Sequence, residues 1–543
     1  MQNKPNFPNN QMALNHCPTK DYNNNPPRPT PSKRTQINPI YAIGIKPNFP
    51  PRLTPPSAII SLILLTLLQS CPQTALAAAK FGSTVESLKS YKCPDWFRDA
   101  KFGIYLHWGV YSVAEHGEWY ARNMYIEGSQ AYRHHVKTYG HPSKFGYKDF
   151  IPMWKAENFD PDRLVALFKR AGAKYFTPCA VHCDNFDLWD SKHHKYNSVN
   201  MGPKKDITRM WRDAAIKHGL RFGVTTHVAR AYSWLQTNKG VDKSGPYAGV
   251  PYDGNDPEWR DCYLEPSDDR NYKHPKNPPE HWRKNWAMRM KDLIDNYDLD
   301  FLYFDGGVPF QGDDNGRTGF EVMAYYYNKG LKRHSGRQEV VLTIKKGKDH
   351  GIWVDDIATR DMERKRADSL MSEPWQTDTS IGPWGYEAGE KYRSVNGIID
   401  ELVDIVSKNG NMLLNVPPKA DGTLDEETKQ ILLGIGKWFD VNGESIYETR
   451  PWFKYGEGTL RFTCKGDVLY VIALEWPGSA EPLNIPASCL NEKPKNIMDV
   501  TLLGHHEKLK WQQTEQGLTI TVARQPGCES AYCFRVTMDG CKR

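Results

Sequence analysis

An apolar run that ends on a carboxylate lies at Leu299–Gly307, "LDFLYFDGG". A buried strand favours Leu, Phe and Tyr and penalises an uncompensated charge. Asp305 therefore needs a partner or a ligand that offsets its charge. Gly306 and Gly307 allow close backbone approach without a Cβ clash, which leaves the carboxylate able to face a bound molecule. Three roles suit it: nucleophile, general base, or metal ligand. Histidines hold comparable places: His107 after "GIYL", His182 after "TPCAV" and His227 after "GVTT". One histidine at a strand end is ordinary. Three of them with an aspartate at equivalent ends point to a site, and imidazoles bond readily to hydroxyl groups.

"VHCD" (His182, Cys183, Asp184) and "KHH" (Lys192, His193, His194) match no standard zinc spacing, and there is no CxxC. No metal and no cofactor is expected; sensitivity to a chelator would mark a metal-dependent hydrolase instead. Retaining glycoside hydrolysis would need a second carboxyl group about 5–5.5 Å from the first. The downstream candidates are Asp355, Asp356, Asp361, Glu363, Glu373 and Asp378. Spacing does not choose among them.

Elements that could position these groups alternate along the chain. "KFGIYLHWG", "KYFTPCAVH", "RFGVTTH", "LDFLYFDGG" and "VVLTIKK" read as strands. "DPDRLVALFKRAGAK" reads as a helix capped by Asp160, with Pro161 in its first turn and Leu164, Leu167, Phe168 and Ala171 on one face. "ITRMWRDAAIKHGL" and "WAMRMKDLIDNYD" read as helices too. Alternation of this kind implies a parallel sheet, and its length favours a (β/α) TIM-like barrel over residues 80–449. No GxGxxG follows any strand, which weighs against a dinucleotide fold. The polar strand ends then fall on the barrel's active face. After Pro451 the pattern changes to short alternating runs, "LRFTCKGDVLYVIALEW", "GLTITVARQ" and "AYCFRVTMD". These predict an antiparallel β-sandwich over 450–543, an accessory module.

Residues 1–57 are rich in Asn and Pro and read as a disordered leader. The apolar run Ile59–Leu68 is too short for a typical membrane span, follows basic residues and precedes "ALAAA". It predicts a signal peptide over 58–79 and an exported protein (periplasmic, secreted or lysosomal-type), with no stable membrane span. "LLQSC" offers a second reading, lipoprotein anchoring at Cys71. Export permits disulfides among Cys464, Cys489, Cys528, Cys533 and Cys541, and some of these are expected to pair. The 543 residues carry a net charge of only +7, spread out, and no nucleic-acid motif, so nucleic acid is not an expected partner. A mild basic excess leaves anionic glycans open.

Six segments occur in order: "FGIYLHWGVYSV", "GEWYARNMY", "VHCDNFDLWDSKHHKYNSVNMGPKKDI", "FLYFDGG", "PWQTDTSIGPWGY" and "LVDIVSKNGNMLLNVPPKADGTL". Together they resemble the α-L-fucosidases of glycoside hydrolase family 29, over roughly residues 93–455 and with a fitting C-terminal sandwich. The resemblance implies a (β/α) barrel, an exo-acting enzyme that releases α-L-fucose through a covalent fucosyl-enzyme, no cofactor, and a fucosylated oligosaccharide or polysaccharide as partner. It places Asp305 on the nucleophile. It places His107, Glu118, Trp119, His182, Cys183, His227 and Trp384 on sugar-contacting positions. Glu363 in "DMERKR" matches the acid/base position better than Glu373 does.

The chain departs from the family where Cys183 replaces a second histidine, a thiol being a weaker hydrogen-bond donor than an imidazole. "DGF" is "DNF" here, and "WETC" is "PWQTD". These changes bear on which sugar is preferred, with galactosides and sulfated fucans as alternatives. A barrel that binds sugar without turnover is the non-enzymatic alternative.

Overall fold

The computed structural model describes residues 80–347, 350–478, 482–490, 496–522, 525 and 530–539. The leader, the signal segment, Cys71, Cys528 and Cys541 lie outside the described residues.

Eight parallel strands close into a barrel in chain order. They are β1 (Phe102–Leu106), β2 (Tyr175–Val181), β3 (Arg221–Thr226), β4 (Phe301–Phe304), β5 (Val341–Lys345), β6 (Thr359–Asp361), β7 (Trp375–Ser380) and β8 (Gly410–Asn415). The ring closes where β1 pairs with β8, Phe102 opposite Met412. Because strand side chains alternate, one set fills the barrel and the other meets the helices. The inner set includes Tyr105, Tyr175, Cys179, Phe301, Tyr303 and Leu413, with Phe97 packed among them. This interior is a packed core, not a channel.

The helices form where the sequence carries their signals. In Pro161–Arg170 the Asp160 side chain accepts from the Arg163 amide, and Leu164, Val165 and Phe168 are buried. Leu167, expected on the same face, is only half-buried. The helix expected from "WAMRMKDLIDNYD" starts earlier, spanning Glu280–Tyr297 after Pro279.

Strands β6 and β7 carry no apolar pattern. β6 has three residues. In β7, "WQTDTS", alternate residues bond to polar neighbours inside the barrel. Gln376 donates to Asp361 at 2.9 Å, Asp378 accepts from Tyr303 at 3.1 Å, and Ser380 accepts from Asn415 at 2.9 Å.

The C-terminal strands are β9 (Arg450–Glu457), β10 (Leu460–Lys465), β11 (Val468–Ala473), β12 (Leu483–Pro486), β13 (Ile497–Leu502), β14 (Lys510–Thr514), β15 (Gly517–Thr521) and β16 (Tyr532–Met538). They form antiparallel sheets of order β13-β16-β11-β10-β9 and β12-β15-β14. Phe462, Val471, Ile485, Ile520 and Phe534 lie in their shared core. Cys489 and Cys533 are buried free thiols, so neither is bridged as the cysteine cluster had suggested.

The two domains are fastened by polar contacts. Trp438 donates to the Ala531 carbonyl at 2.9 Å. Asp404, at the end of helix Val395–Ser407, accepts from Lys408 at 2.8 Å and from Arg461 of β10 at 2.6 Å. Burial works to raise the Asp404 carboxyl, but the two cations hold it below its ordinary range. Removing it leaves Lys408 and Arg461 without the carboxylate they share. Asp404→Ala is expected to cost about 3–5 kcal/mol in urea unfolding, the scale for breaking a buried pair. The sign follows from the lowered value: the contribution is complete above the ordinary carboxyl pKa of about 3.9 and is lost as pH falls below it. The gap between wild type and variant therefore narrows in acid.

Candidate active site

All eight strands contribute a residue at or just beyond their C-terminal ends. In order these are His107, His182, His227, Asp305, Lys345, Asp361 with Glu363, Asp378 with Trp384, and Asn415.

Asp305 is buried and lies against three basic groups. Its Oδ1 is 2.6 Å from Lys345 Nζ. Its Oδ2 is 3.0 Å from His227 Nδ1 and 3.4 Å from Arg230 Nη2. Burial alone would push the carboxyl up. Lys345, His227 and Arg230 outweigh it and hold Asp305 well below the usual carboxylate range. It is an ionised, oriented carboxylate, which answers how a strand end tolerates the charge. The two glycines after it serve the protein's own packing. Gly306 has φ +149°, and a Cβ there would lie 2.6 Å from the His274 ring. His274 Nε2 bonds the Asp305 carbonyl at 2.9 Å.

Lys345 also reaches Glu363 Oε2 at 2.8 Å and Asp378 Oδ2 at 3.5 Å. Burial would lower its pKa, but Asp305, Asp378 and Glu363 hold it well above the ordinary value, so it stays charged. Glu363 follows β6 and stands at this end of the barrel. Glu373 precedes β7 and lines a cavity of about 290 Å³ with Thr359 and Trp375, the first residues of β6 and β7. That is the opposite end, so Glu373 is not brought to Asp305.

The three histidines meet beside Asp305, their ligating atoms within 4.8 Å of one another. Asn415 fixes the first. Its Nδ2 donates to Ser380 Oγ at 2.9 Å and to the Trp384 carbonyl at 2.8 Å. Its Oδ1 therefore faces His107, accepting from the backbone N at 2.9 Å and from Nδ1 at 3.0 Å. His107 thus carries its proton on Nδ1 and keeps a lone pair on Nε2. Burial, then His227, lowers its pKa well below 6.5, so the ring is neutral. Burial and both neighbouring histidines lower His182 likewise. His182 Nδ1 is buried with no hydrogen-bond partner among the described residues, and a ligand hydroxyl would satisfy it. A cation could find nitrogen ligands here, but with Nδ1 of His227 on Asp305 its Nε2 is already bonded to Tyr105 OH at 2.8 Å, and His107 Nε2 lies 3.3 Å from the same hydroxyl. The arrangement suits hydroxyl groups better.

Trp384 closes one side, its ring 5.2 Å from His107 and under the Arg364 guanidinium at 4.5 Å. The next residue, Gly385, donates to Glu118 Oε2 at 2.9 Å. A Cβ on Gly385 would lie 2.6 Å from the Glu118 amide, so glycine is required. Burial raises Glu118 to about 7. Trp119 packs on Trp234 at 5.6 Å, with Arg230 at 6.0 Å over its ring. Cys183 is buried and turns its thiol to the His227 carbonyl at 3.5 Å.

A profile described as Alpha-L-fucosidase matches residues 68–444, and one described as Alpha-L-fucosidase C-terminal domain matches 456–537. The chain belongs to the alpha-L-fucosidase family. It is a glycoside hydrolase. The tissue alpha-L-fucosidase of Rattus norvegicus is 29% identical over 494 residues, covering 88% of this chain and 96% of that protein. The plasma alpha-L-fucosidase of Pongo abelii is 30% identical over 465 residues, covering 82% and 89%. The crystal structure of Thermotoga maritima alpha-fucosidase in complex with a mechanism based inhibitor is 30% identical. It has a TM-score of 0.66 and covers 84% of this chain and 100% of that one.

Within this fucosidase-family barrel, the pattern of His and Asp at strand ends does not reveal Lys345, Arg230, Tyr105, Tyr303 or Asn415. Lys345 was legible: "VVLTIKK" ends on it as "FLYF" ends before Asp305. Arg230 lies in a short 3-10 turn after β3, and no sequence signal marks it.

Proposed function

We propose that the chain is an exported, exo-acting retaining α-L-fucosidase that works by double displacement. The observation that carries this reading is the shared Lys345. Bonds of 2.6 and 2.8 Å to one nitrogen put the near oxygens of Asp305 and Glu363 no more than about 5.4 Å apart, the sum of the two. Retaining glycosidases hold their carboxyl groups about 5–5.5 Å apart, whereas inverting ones need about 6.5 Å or more.

In this mechanism Asp305 attacks the anomeric carbon while Glu363 gives its proton to the departing oxygen. A fucosyl ester on Asp305 results. Glu363, now a carboxylate, takes a proton from water, whose oxygen attacks the same carbon. The ester bond breaks and returns its electron pair to Asp305. His107 Nε2, His182 and Glu118 supply the hydroxyl contacts, and the faces of Trp384 and Trp119 suit the sugar's C–H face and methyl group. Support for export comes from the apolar segment Ile59–Leu68 and its "ALAAA" sequel. Among the described residues no helix is long and apolar enough to cross a membrane.

The test is hydrolysis of 4-nitrophenyl α-L-fucoside followed by proton NMR before mutarotation. α-L-Fucose as the first product supports the reading, and β-L-fucose overturns retention. Turnover of the galactoside alone would move the substrate, and fucose binding without turnover would leave a lectin-like barrel.

Glu118 gives the binding step a pH dependence. As pH rises through about 7 the carboxyl ionises. A charged acceptor holds hydroxyl donors more tightly. The Kd for fucose is therefore expected to fall between about pH 6 and about pH 8. Calorimetric titration of Glu118→Gln should show that dependence removed.

A further inference from the structure

Among the described residues Lys345 is the one cation that touches both proposed catalytic carboxylates, and the described residues around it allow a charge count. Its ammonium faces Asp305 from the end of β4, Glu363 from the loop after β6 and Asp378 from β7. Tyr303 lies 5.5 Å away, ring centre to nitrogen. Arg230 and His227 join from beyond Asp305, at 3.4 and 3.0 Å from its Oδ2, and His107 and His350 lie further round.

Behind Lys345, Tyr303 OH is 3.1 Å from Asp361 Oδ2 and 3.1 Å from Asp378 Oδ2. One phenolic proton cannot serve both. A proton on Asp361, donated to Tyr303, which donates in turn to Asp378, satisfies all three groups. Burial and the neighbouring Asp378 push Asp361 well above the usual carboxylate range, in agreement. The pair therefore holds a single negative charge.

Lys345 and Arg230 contribute two permanent positive charges, and His227, whose Nδ1 faces Asp305 at 3.0 Å, is counted in its neutral form throughout. Asp305 contributes one negative charge and the Asp361–Asp378 pair another. Before the first displacement the set is neutral with Glu363 protonated, the acid form that step needs. Esterification of Asp305 removes one negative charge and leaves the set one positive charge in excess beside Glu363. The set is then neutral only with Glu363 ionised, the base form the second step needs.

We propose that Lys345 is a positioning residue that switches Glu363 from acid to base, its charge being released toward Glu363 when Asp305 becomes esterified. The inference rests on the double-displacement reading. Asp361, Tyr303 and Asp378 hold the ammonium in place through both steps, since none of their contacts involves Asp305. Lys345 is buried and 2.8 Å from the half-exposed Glu363, so loss of the lysine's counter-charge at Asp305 is felt there.

The experiment uses Lys345→Met and, as a polar neutral variant, Lys345→Gln, with Lys345→Arg as the conservative control. Folding is checked by circular dichroism. With 4-nitrophenyl α-L-fucoside, either neutral variant should release a burst of nitrophenol and then turn over roughly 10²-fold more slowly than wild type, the low end for lost general-base catalysis. kcat should fall much more than kcat/KM. Intact mass should show the fucosyl adduct accumulating on Asp305. Azide needs no general base, so it should restore turnover and give α-L-fucosyl azide. Lys345→Arg should show no burst. Equal losses in kcat and kcat/KM, with no burst and no response to azide, would show that Lys345 only orients Asp305 and would overturn the switch. Failure of the underlying mechanism looks different: wild type would form no adduct on Asp305 with a 2-deoxy-2-fluoro fucosyl fluoride.

Discussion

Asp305→Asn is expected to lose roughly 10⁴-fold or more in kcat/KM on 4-nitrophenyl α-L-fucoside, the scale seen when a covalent hydrolase loses a group central to its chemistry. The amide keeps the shape but carries no charge, so Lys345 at 2.6 Å and Arg230 at 3.4 Å lose their shared anion as the nucleophile is lost. Asp305→Gly separates those effects by opening space. Azide entering that space attacks the anomeric carbon from the nucleophile's side in a single displacement. The product is then the inverted β-L-fucosyl azide, which NMR identifies. Unchanged turnover in Asp305→Asn would remove Asp305 from the chemistry.

The second large effect belongs to Glu363. Glu363→Ala should cost about 10²–10⁴-fold on a natural fucoside, whose leaving oxygen must be protonated. The loss should be much smaller in the first step with a nitrophenyl leaving group, which departs without help. Azide added to this variant intercepts the ester on Asp305 and gives the retained α-L-fucosyl azide. The two variants thus yield opposite anomers from one reagent, and the anomer reports each carboxylate's role. Glu373→Ala serves as a control. Its place at the other end of the barrel predicts turnover close to wild type. Equal losses in Glu363→Ala and Glu373→Ala would contradict the assignment.

Much of the barrel was legible because β1 to β5 are apolar runs punctuated by helices with clear caps. β6 and β7 were not, because their inward residues bond to one another instead of forming a hydrophobic face. Gln376, Asp378 and Ser380 alternate with the right period but the opposite polarity. The same inversion hid the proton-sharing pair: Asp361 and Asp378 stood among six candidate carboxylates with nothing in spacing to separate them. Glu363 and Glu373 differ in sequence by ten positions but in space by the length of a barrel. That difference depends on where β6 ends and β7 begins. Cys183 illustrates the opposite limit. Its identity was plain, but its thiol bonds the main chain of His227, an orientation no sequence pattern fixes.

Asn415 leaves no hydrogen-bonding capacity unused, giving two protons and accepting two. His107 therefore turns an acceptor, not a donor, away from Asn415, with Tyr105 OH 3.3 Å from it. A sugar oxygen that meets it must bring its own proton. An O-methyl or fluoro substituent at that carbon keeps the size and polarity of the position but has no proton to offer. In this way the barrel would distinguish a free glycan end from a capped one, through an amide whose own bonds all go to the protein.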